Sequence, residues 1–275
     1  MNGTVRRLGP DDMAACRRLA VGRDWGPEEH KWGLLFAIGA VYGLDAPDGD
    51  GLAGTVVATP YGRDVAAISM VLVAERYERQ GLGGRLMRHA IEHTDTASFC
   101  LTATPYGRPL YERLGFRSLC RCTTYTGVAH GLPDGSASAP AEPADLPDIL
   151  ALDTDVFGAP RTALIERLPS FCERFRVVRD AAGLRGFAGA WRNDETVVVG
   201  PVIARDPKTA LTLVEETAPP GEKLRLDIDH RHPELFAWAE DHGLRPAFST
   251  TIMEYGAPVR NDPERLFLPV AQALG

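Results

Sequence analysis

A chain of 275 residues with a formal charge of −7 and 44% apolar residues is long enough for two ordinary domains with real cores, and its acidity speaks against nucleic acid or an anionic membrane as partner. No apolar run approaches the roughly 20 residues that cross a bilayer, and segment 1–7 lacks a signal-peptide core, so a cytoplasmic protein is expected. The five cysteines, Cys16, Cys100, Cys120, Cys122 and Cys172, are odd in number and scattered, which argues for reduced thiols rather than a disulfide frame.

In chain order, residues 4–8 read as an opening strand and 10–21 as a helix begun by Pro10, Asp11 and Asp12, with a second helix at 27–38. Strands follow at 40–44 and 52–61, joined by the Asp-Gly-Asp-Gly turn at 48–51. Segment 66–73 is almost wholly apolar, as a strand covered on both faces should be. Gly81, Gly83 and Gly84 then let the backbone turn without Cβ hindrance. From Leu82 onward, Leu82, Leu86 and Ala90 alternate with Arg85, Arg88 and Glu92 as on an amphipathic helix.

Strand, glycine turn and helix together make a phosphate cradle, because the first amides of a helix lack acceptors and its dipole end is positive. Glycine-rich turns also precede helices for purely structural reasons, so the loop alone leaves the ligand open. Two nucleotide motifs are excluded: a Walker loop needs Lys and Ser or Thr after its last glycine, where Arg85 and Leu86 stand, and a dinucleotide fingerprint needs a glycine at position 86.

What remains resembles the acyl-CoA loop of the GCN5-related N-acetyltransferases (GNAT), usually L-x-V-x-P-x-Y-R-x-x-G-x-G, matched here by Val71, Val73, Glu75, Tyr77, Glu78, Gly81 and Gly83. Glu78 departs from the usual Arg or Gln and would set a carboxylate near a diphosphate. Segment 101–119 carries a second block: Tyr111 followed by Leu114, Gly115 and Phe116 is similar to the family's closing tyrosine-x-x-x-G-F. The resemblance implies acetyl-CoA as cosubstrate, held by Arg79, Gln80, Gly81, Leu82, Gly83, Gly84 and Arg85. It also implies a strand bulge whose freed amides at Val71, Leu72 and Val73 meet the pantetheine and acetyl oxygen, and a phenol, Tyr111, that protonates the departing thiolate. By itself Tyr111 would read as a packing residue. No carboxylate or histidine lies on 66–73, so the general base is unassigned. The same resemblance places an acceptor pocket around Trp25, Trp32 and Phe36, although core packing also accounts for such aromatics.

Segment 129–147 is rich in Gly, Pro, Ser and Ala and reads as a linker. Beyond it the plan repeats, with helices at 145–157 and 161–168, strands at 175–179, 186–191 and 196–204, helix 207–217, strand 223–228, helix 233–242 and strand 247–255. No G-x-G follows Ala204, and Asp206 stands where phosphate would sit, so this half is expected to have lost acyl-CoA binding. Asp227, Asp229, His230 and His232 have metal-ligand residue types without a closed ligand set, so no metal is expected. His89 and His93 lack the Glu of H-E-x-x-H. Segment 265–274 is too apolar for a free tail and should dock on a sheet or across a homodimer interface.

These observations give an α/β fold with a mixed α+β sheet in two tandem GNAT-like domains, 1–129 catalytic and 146–275 degenerate, joined by a linker at 130–145. The implied function is acetyl transfer to a small-molecule primary amine, with no nucleic acid or membrane partner. A non-catalytic acyl-CoA sensor is the alternative, prompted by Glu78 and the lost second loop.

Overall fold

A computed structural model describes residues 3–132, 135 and 137–275; positions 133, 134 and 136 of the expected linker lie outside the described residues. The expected opening strand is reduced to β1 (Arg6–Arg7), cut short by Gly9 and Pro10, and α1 (Met13–Val21) follows a 3-10 turn at Pro10–Asp12. After α2 (Glu29–Ile38) come β2 (Ala40–Asp45), β3 (Leu52–Tyr61) and β4 (Val65–Val73) as an antiparallel meander. Then α3 (Leu82–Glu92) crosses to β5 (Ser98–Ala103), which runs parallel to β4, followed by α4 (Arg108–Arg113) and β6 (Arg117–Val128).

The second half opens with β7 (Ala139–Pro140) and α5 (Leu146–Phe157). The single helix expected at 161–168 is instead two short ones, α6 (Thr162–Ile165) and α7 (Leu168–Phe171). Pro169 explains the break, since it has no amide to give the Ile165 carbonyl. The meander β8 (Arg174–Asp180), β9 (Gly183–Asn193) and β10 (Thr196–Ala204) then leads through α8 (Pro207–Thr217) to β11 (Lys223–Asp229), parallel to β10. The chain ends with α9 (Pro233–Asp241), β12 (Arg245–Gly256) and β13 (Leu266–Leu268).

All these strands form one sheet in the order β1-β2-β3-β4-β5-β12-β6-β11-β10-β9-β8-β7, with β13 added on β10. The halves do not each close a sheet of their own. β12 lies between β5 and β6, and β6 lies between β12 and β11, so each half lends its last long strand to the other. One face of the sheet is covered by α1, α2, α5, α6 and α7 over a core that includes Trp32, Leu35, Phe187 and Trp191. The other is covered by α3 and α4 over one cluster and by α8 and α9 over a second.

Across the shared face each half reaches over the other. His30 of α2 stacks on Phe171 of α7 with ring centroids 4.1 Å apart, and the Tyr61 hydroxyl donates to the Leu274 carbonyl at 2.7 Å. Arg161 and Asp153 form a fully buried ion pair at 2.6 Å, with Arg161 also donating to the Gly275 carbonyl at 2.9 Å. Such a pair holds together because every charge meets a partner. No helix among the described residues is long and apolar enough to cross a membrane.

Candidate active site

The parallel ladder between β4 and β5 ends at Ala67 and Cys100, although β4 continues to Val73 beside β3. From there the two strands part, and the edge of β4 toward β5 has no ladder partner among the described residues. β4 is also bulged: Thr55 faces Leu72 but Val57 faces Ser69, so Met70 and Val71 together stand opposite Val56. Met70 takes a left-handed conformation with φ +48°, which costs a non-glycine residue about 1–3 kcal/mol and persists only where neighbours enforce it. The enforcing contact is a buried hydrogen bond of 2.9 Å from Thr55 Oγ1 to the Met70 carbonyl. Past the bulge the side-chain phase reverses. Ala66, Ile68, Val71 and Val73 face the α3 side, whereas Met70 and Leu72 face the α1 side.

Beyond Val73 the chain makes a 3-10 turn at Glu75–Tyr77 and reaches α3 through two left-handed residues, Arg79 with φ +58° and Gly81 with φ +78°. Gly81 is the N-cap and no side chain caps the helix. The first intrahelical bond is from the Arg85 amide to the Gly81 carbonyl at 3.1 Å, so the amides of Leu82, Gly83 and Gly84 have no intrahelical acceptor. Leu82 is buried and pins this end of α3 to the core. At Gly83 a Cβ would come 3.1 Å from Leu110 Cδ2, so α3 packs on α4 through a missing side chain. Gly84 has ordinary clearance, its nearest neighbours being at 3.6 Å. Arg79 and Gln80 are exposed, and the Arg85 guanidinium donates to the Gly3 carbonyl. Glu78 is not left facing the helix end, because Arg23 pairs with it at 2.6 Å and both side chains are about three-quarters buried (23% and 24% exposed). Beside this loop lies a groove of about 340 Å³ lined by Arg18, Gly22, Gly51, Leu52, Glu75 and Arg76.

Tyr111 is buried in α4, 8% exposed, with its ring edge-on to Phe116 at 6.0 Å. It belongs to the same apolar cluster as Val71, Val73 and Leu82, so the fold brings the strand end, the helix start and the phenol together. Burial pushes the phenol well above its ordinary value, which keeps its proton in place at neutral pH.

The second half has the same frame, filled by its own chain. The parallel ladder of β10 and β11 ends at Val198 and Arg225, and β10 is irregular between Val199 and Val202. Here β13 pairs with β10, Trp191 Nε1 donates to the Val270 carbonyl at 2.9 Å, and Gln272 Nε2 donates to Asp227 at 2.9 Å. The segment expected to dock on a sheet therefore lies in this half's own cleft. At the start of α8 the Asp206 carboxylate accepts the Thr209 amide at 2.8 Å and pairs with Arg185, so the helix end is already capped by an anion. The residues of metal-ligand type point elsewhere: Asp229 pairs with Arg231, His230 bonds Thr123 at 2.8 Å, and His232 bonds the Leu266 carbonyl at 2.9 Å. Among the described residues no group of three or more such side chains gathers.

Three residues at this site escaped the sequence reading. Arg23 lies in a short polar loop with nothing to single it out, and Thr55 looks like any strand threonine. Met70 sits in a run that is apolar on both faces apart from Ser69, so a one-residue phase change moves no pattern of polar residues that would mark it.

Residues 12–116 match the family described as Acetyltransferase (GNAT) family, and residues 149–268 match the one described as Acetyltransferase (GNAT) domain. A Bacillus subtilis (strain 168) protein, Uncharacterized N-acetyltransferase YitH, is 28% identical over 262 residues, spanning 92% of this chain and 90% of that one. A solved structure from Pyrococcus horikoshii, assigned as an acetyltransferase, superposes with a TM-score of 0.85 at 17% identity, covering 100% of this chain and 97% of its own. The tandem GNAT protein from the clavulanic acid biosynthesis pathway follows the fold with a TM-score of 0.66 at 12% identity, over 93% of this chain and 99% of its own.

Proposed function

From a chain that belongs to the GNAT acetyltransferase family in both of its halves, we propose an N-acetyltransferase that moves the acetyl group of acetyl-CoA to a small-molecule primary amine by direct attack. The observation that carries this reading is the contrast between the halves: an uncapped helix start beside a parted, bulged strand in the first, and the same two places filled by Asp206 and β13 in the second.

The residues of the first half fit the cosubstrate. The amides of Leu82, Gly83 and Gly84, opened by the left-handed Gly81, suit a diphosphate at the positive end of the helix dipole. Arg79, Gln80 and Arg85 border it. Acetyl-CoA, when bound, supplies an activated acetyl carbon and a thiolate leaving group. The backbone of Val71, Leu72 and Val73, at the strand edge without a ladder partner, offers donors to the acetyl oxygen as negative charge grows on it. Tyr111, kept protonated by burial, is the acid for the thiolate. No carboxylate or imidazole stands on β4 to take the ammonium proton, so that group lies off this strand. The Arg23 partner of Glu78 removes the like-charge objection that favoured a sensor.

The test is calorimetric titration with acetyl-CoA, run beside thiol release from acetyl-CoA against a panel of amines. Binding together with release for one amine class is the expected result. Binding without release for any amine would turn the reading to a sensor, and absence of binding would overturn both.

A further inference from the structure

β5 is shorter than the strands on either side of it. Its ladder with β4 ends at Cys100 opposite Ala67, and its ladder with β12 ends at Ala103 opposite Thr251. Thr104 then turns the chain away, its Oγ1 accepting the Gly107 amide at 3.1 Å. β4 runs on to Val73, and antiparallel β12 reaches back to Arg245, so both continue past the end of β5 on the same side. Two strand spacings of about 4.8 Å make a gap of about 10 Å where β5 is missing, with Val71, Leu72 and Val73 on one wall and the second half's β12 on the other. The Tyr111 hydroxyl ends beside the same turn, since a Cβ on Gly107 would come 3.4 Å from it. Met253 of β12 packs under α3 and α4, and alternation sets Thr251 and Ser249 on that face. From Ser249 a chain of hydrogen bonds leads outward: Ser249 Oγ meets Thr123 Oγ1 at 2.9 Å, and Thr123 Oγ1 meets His230 Nε2 at 2.8 Å. Ser249 is half-buried, Thr123 is buried, and His230 lies at the surface with its ring edge-on to Phe236 at 5.1 Å.

We propose that Ser249, Thr123 and His230 form a relay that takes the proton from an acceptor ammonium in this gap, with His230 of the second half as its terminus. The inference rests on the acetyl-transfer reading of the first half and supplies the group which that reading places off β4. Ser249 donates to Thr123, and Thr123 donates to a His230 Nε2 that carries no proton. As the ammonium N–H bond breaks, its proton passes to Ser249 Oγ, the Ser249 proton to Thr123 Oγ1 and the Thr123 proton to His230 Nε2. The electrons of the broken bond stay on nitrogen as the lone pair that attacks the acetyl carbon. Each hydroxyl ends with one proton, as it began, and the exposed imidazolium gives its proton to solvent. An imidazole suits the terminus because it takes up and releases a proton near neutral pH, which a hydroxyl does not. The charged groups on the elements around the ring are Asp229 and Arg231 on its own turn, paired with each other, Arg121 of β6, whose carbonyl holds the His230 amide at 3.0 Å, and Glu240 of α9, engaged by the Tyr125 hydroxyl at 2.8 Å. Ser249 alone meets the acceptor, and Thr123 and His230 act through it.

The experiment is the pH profile of kcat/KM for thiol release with the amine found by the panel, run beside calorimetric titration with acetyl-CoA, in Thr123→Val and His230→Ala. Valine keeps the buried shape of Thr123 and His230 is exposed, so both variants should retain acetyl-CoA affinity. Near neutral pH each should lower kcat/KM by roughly 10². The deficit should shrink as pH rises from about 7 to about 10, because more of the amine then arrives already deprotonated. Imidazole added to the buffer should restore part of the rate to His230→Ala and none to Thr123→Val, whose break lies upstream of the ring. Unchanged kcat/KM in His230→Ala, or a deficit equal at every pH, overturns the relay while the natural sequence still binds acetyl-CoA and releases thiol. Equal rescue of both variants overturns the path through Thr123. If the natural sequence releases thiol with no amine, the acetyl-transfer reading falls and takes the relay with it.

Discussion

Thr55→Val tests the bulge on which the proposed transfer geometry depends. Thr55 is fully buried, and its hydroxyl meets the Met70 carbonyl at 2.9 Å. Valine keeps the shape and removes the donor, leaving a buried carbonyl unsatisfied at about 1–3 kcal/mol. That loss is as large as the roughly 1–3 kcal/mol needed to hold Met70 in its left-handed conformation, so the bulged register should cease to be the clear minimum. A strand that relaxes to a regular ladder shifts by one residue beyond the bulge and turns Val71, Leu72 and Val73 to the wrong faces. Denaturant unfolding should lose about 1–3 kcal/mol, and kcat/KM with the amine found by the panel should drop by roughly 5- to 100-fold, at about 1.4 kcal/mol per decade. Thr55→Ser keeps the hydroxyl and loses a methyl group, so it should cost about 1 kcal/mol in stability with much less effect on turnover. If Thr55→Val retained full kcat/KM while showing the expected stability loss, the bulge would not position the acetyl group.

Tyr111→Phe should lower kcat by roughly 10² with little change in acetyl-CoA affinity, measured by calorimetry, and unchanged turnover would remove the phenol from the mechanism. Gly83→Asp sets bulk against Leu110 and a charge at the diphosphate, so acetyl-CoA titration should show no binding; retained affinity would count against the cradle. Stability should fall in acid for a defined reason. A hydrogen bond from Arg6 holds the Asp12 carboxyl below the ordinary 3.8. Burial pushes Asp206 up, but the Thr209 amide, Arg185 and the Thr209 hydroxyl outweigh it and hold that carboxyl low as well. Folded values below unfolded ones mean that the unfolded chain binds protons first, so this stability is present above about pH 4 and is lost as pH falls through the folded values. The thermal midpoint followed from pH 6 to pH 2 should therefore decline less steeply in a double Asp12→Asn, Asp206→Asn variant, and an unaltered slope would refute the assignment.

Most elements were legible because their signals are local. The run ending at Val73, the glycines from Gly81 to Gly84 and the apolar face Leu82, Leu86 and Ala90 each state their conformation within a few residues, whereas Tyr111 was singled out only through the resemblance of Tyr111, Gly115 and Phe116 to a family motif. Asp206, noted as the residue in place of a phosphate, proved to be the cap of α8. Pairing between strands was not legible. The pattern of 247–255 tells that a strand exists, but not that β12 will separate β5 from β6. The partner of Glu78 was hidden for the same reason, since Arg23 is adjacent only in space.

The exchanged strands bear on how the molecule comes into being. Cys100 waits for Glu254, and Cys122 for Asp229, so the sheet of either half closes only across a long stretch of chain. During synthesis the first half is made first, yet its β5 edge stays open until β12 has left the ribosome, an exposed strand edge of the kind that invites wrong partners. Contacts so distant along the chain slow folding, because the entropy of closing the loop is spent before the pairing rewards it. Cutting the chain at its linker should accordingly yield two fragments that must find each other again, rather than one working enzyme and one spare domain.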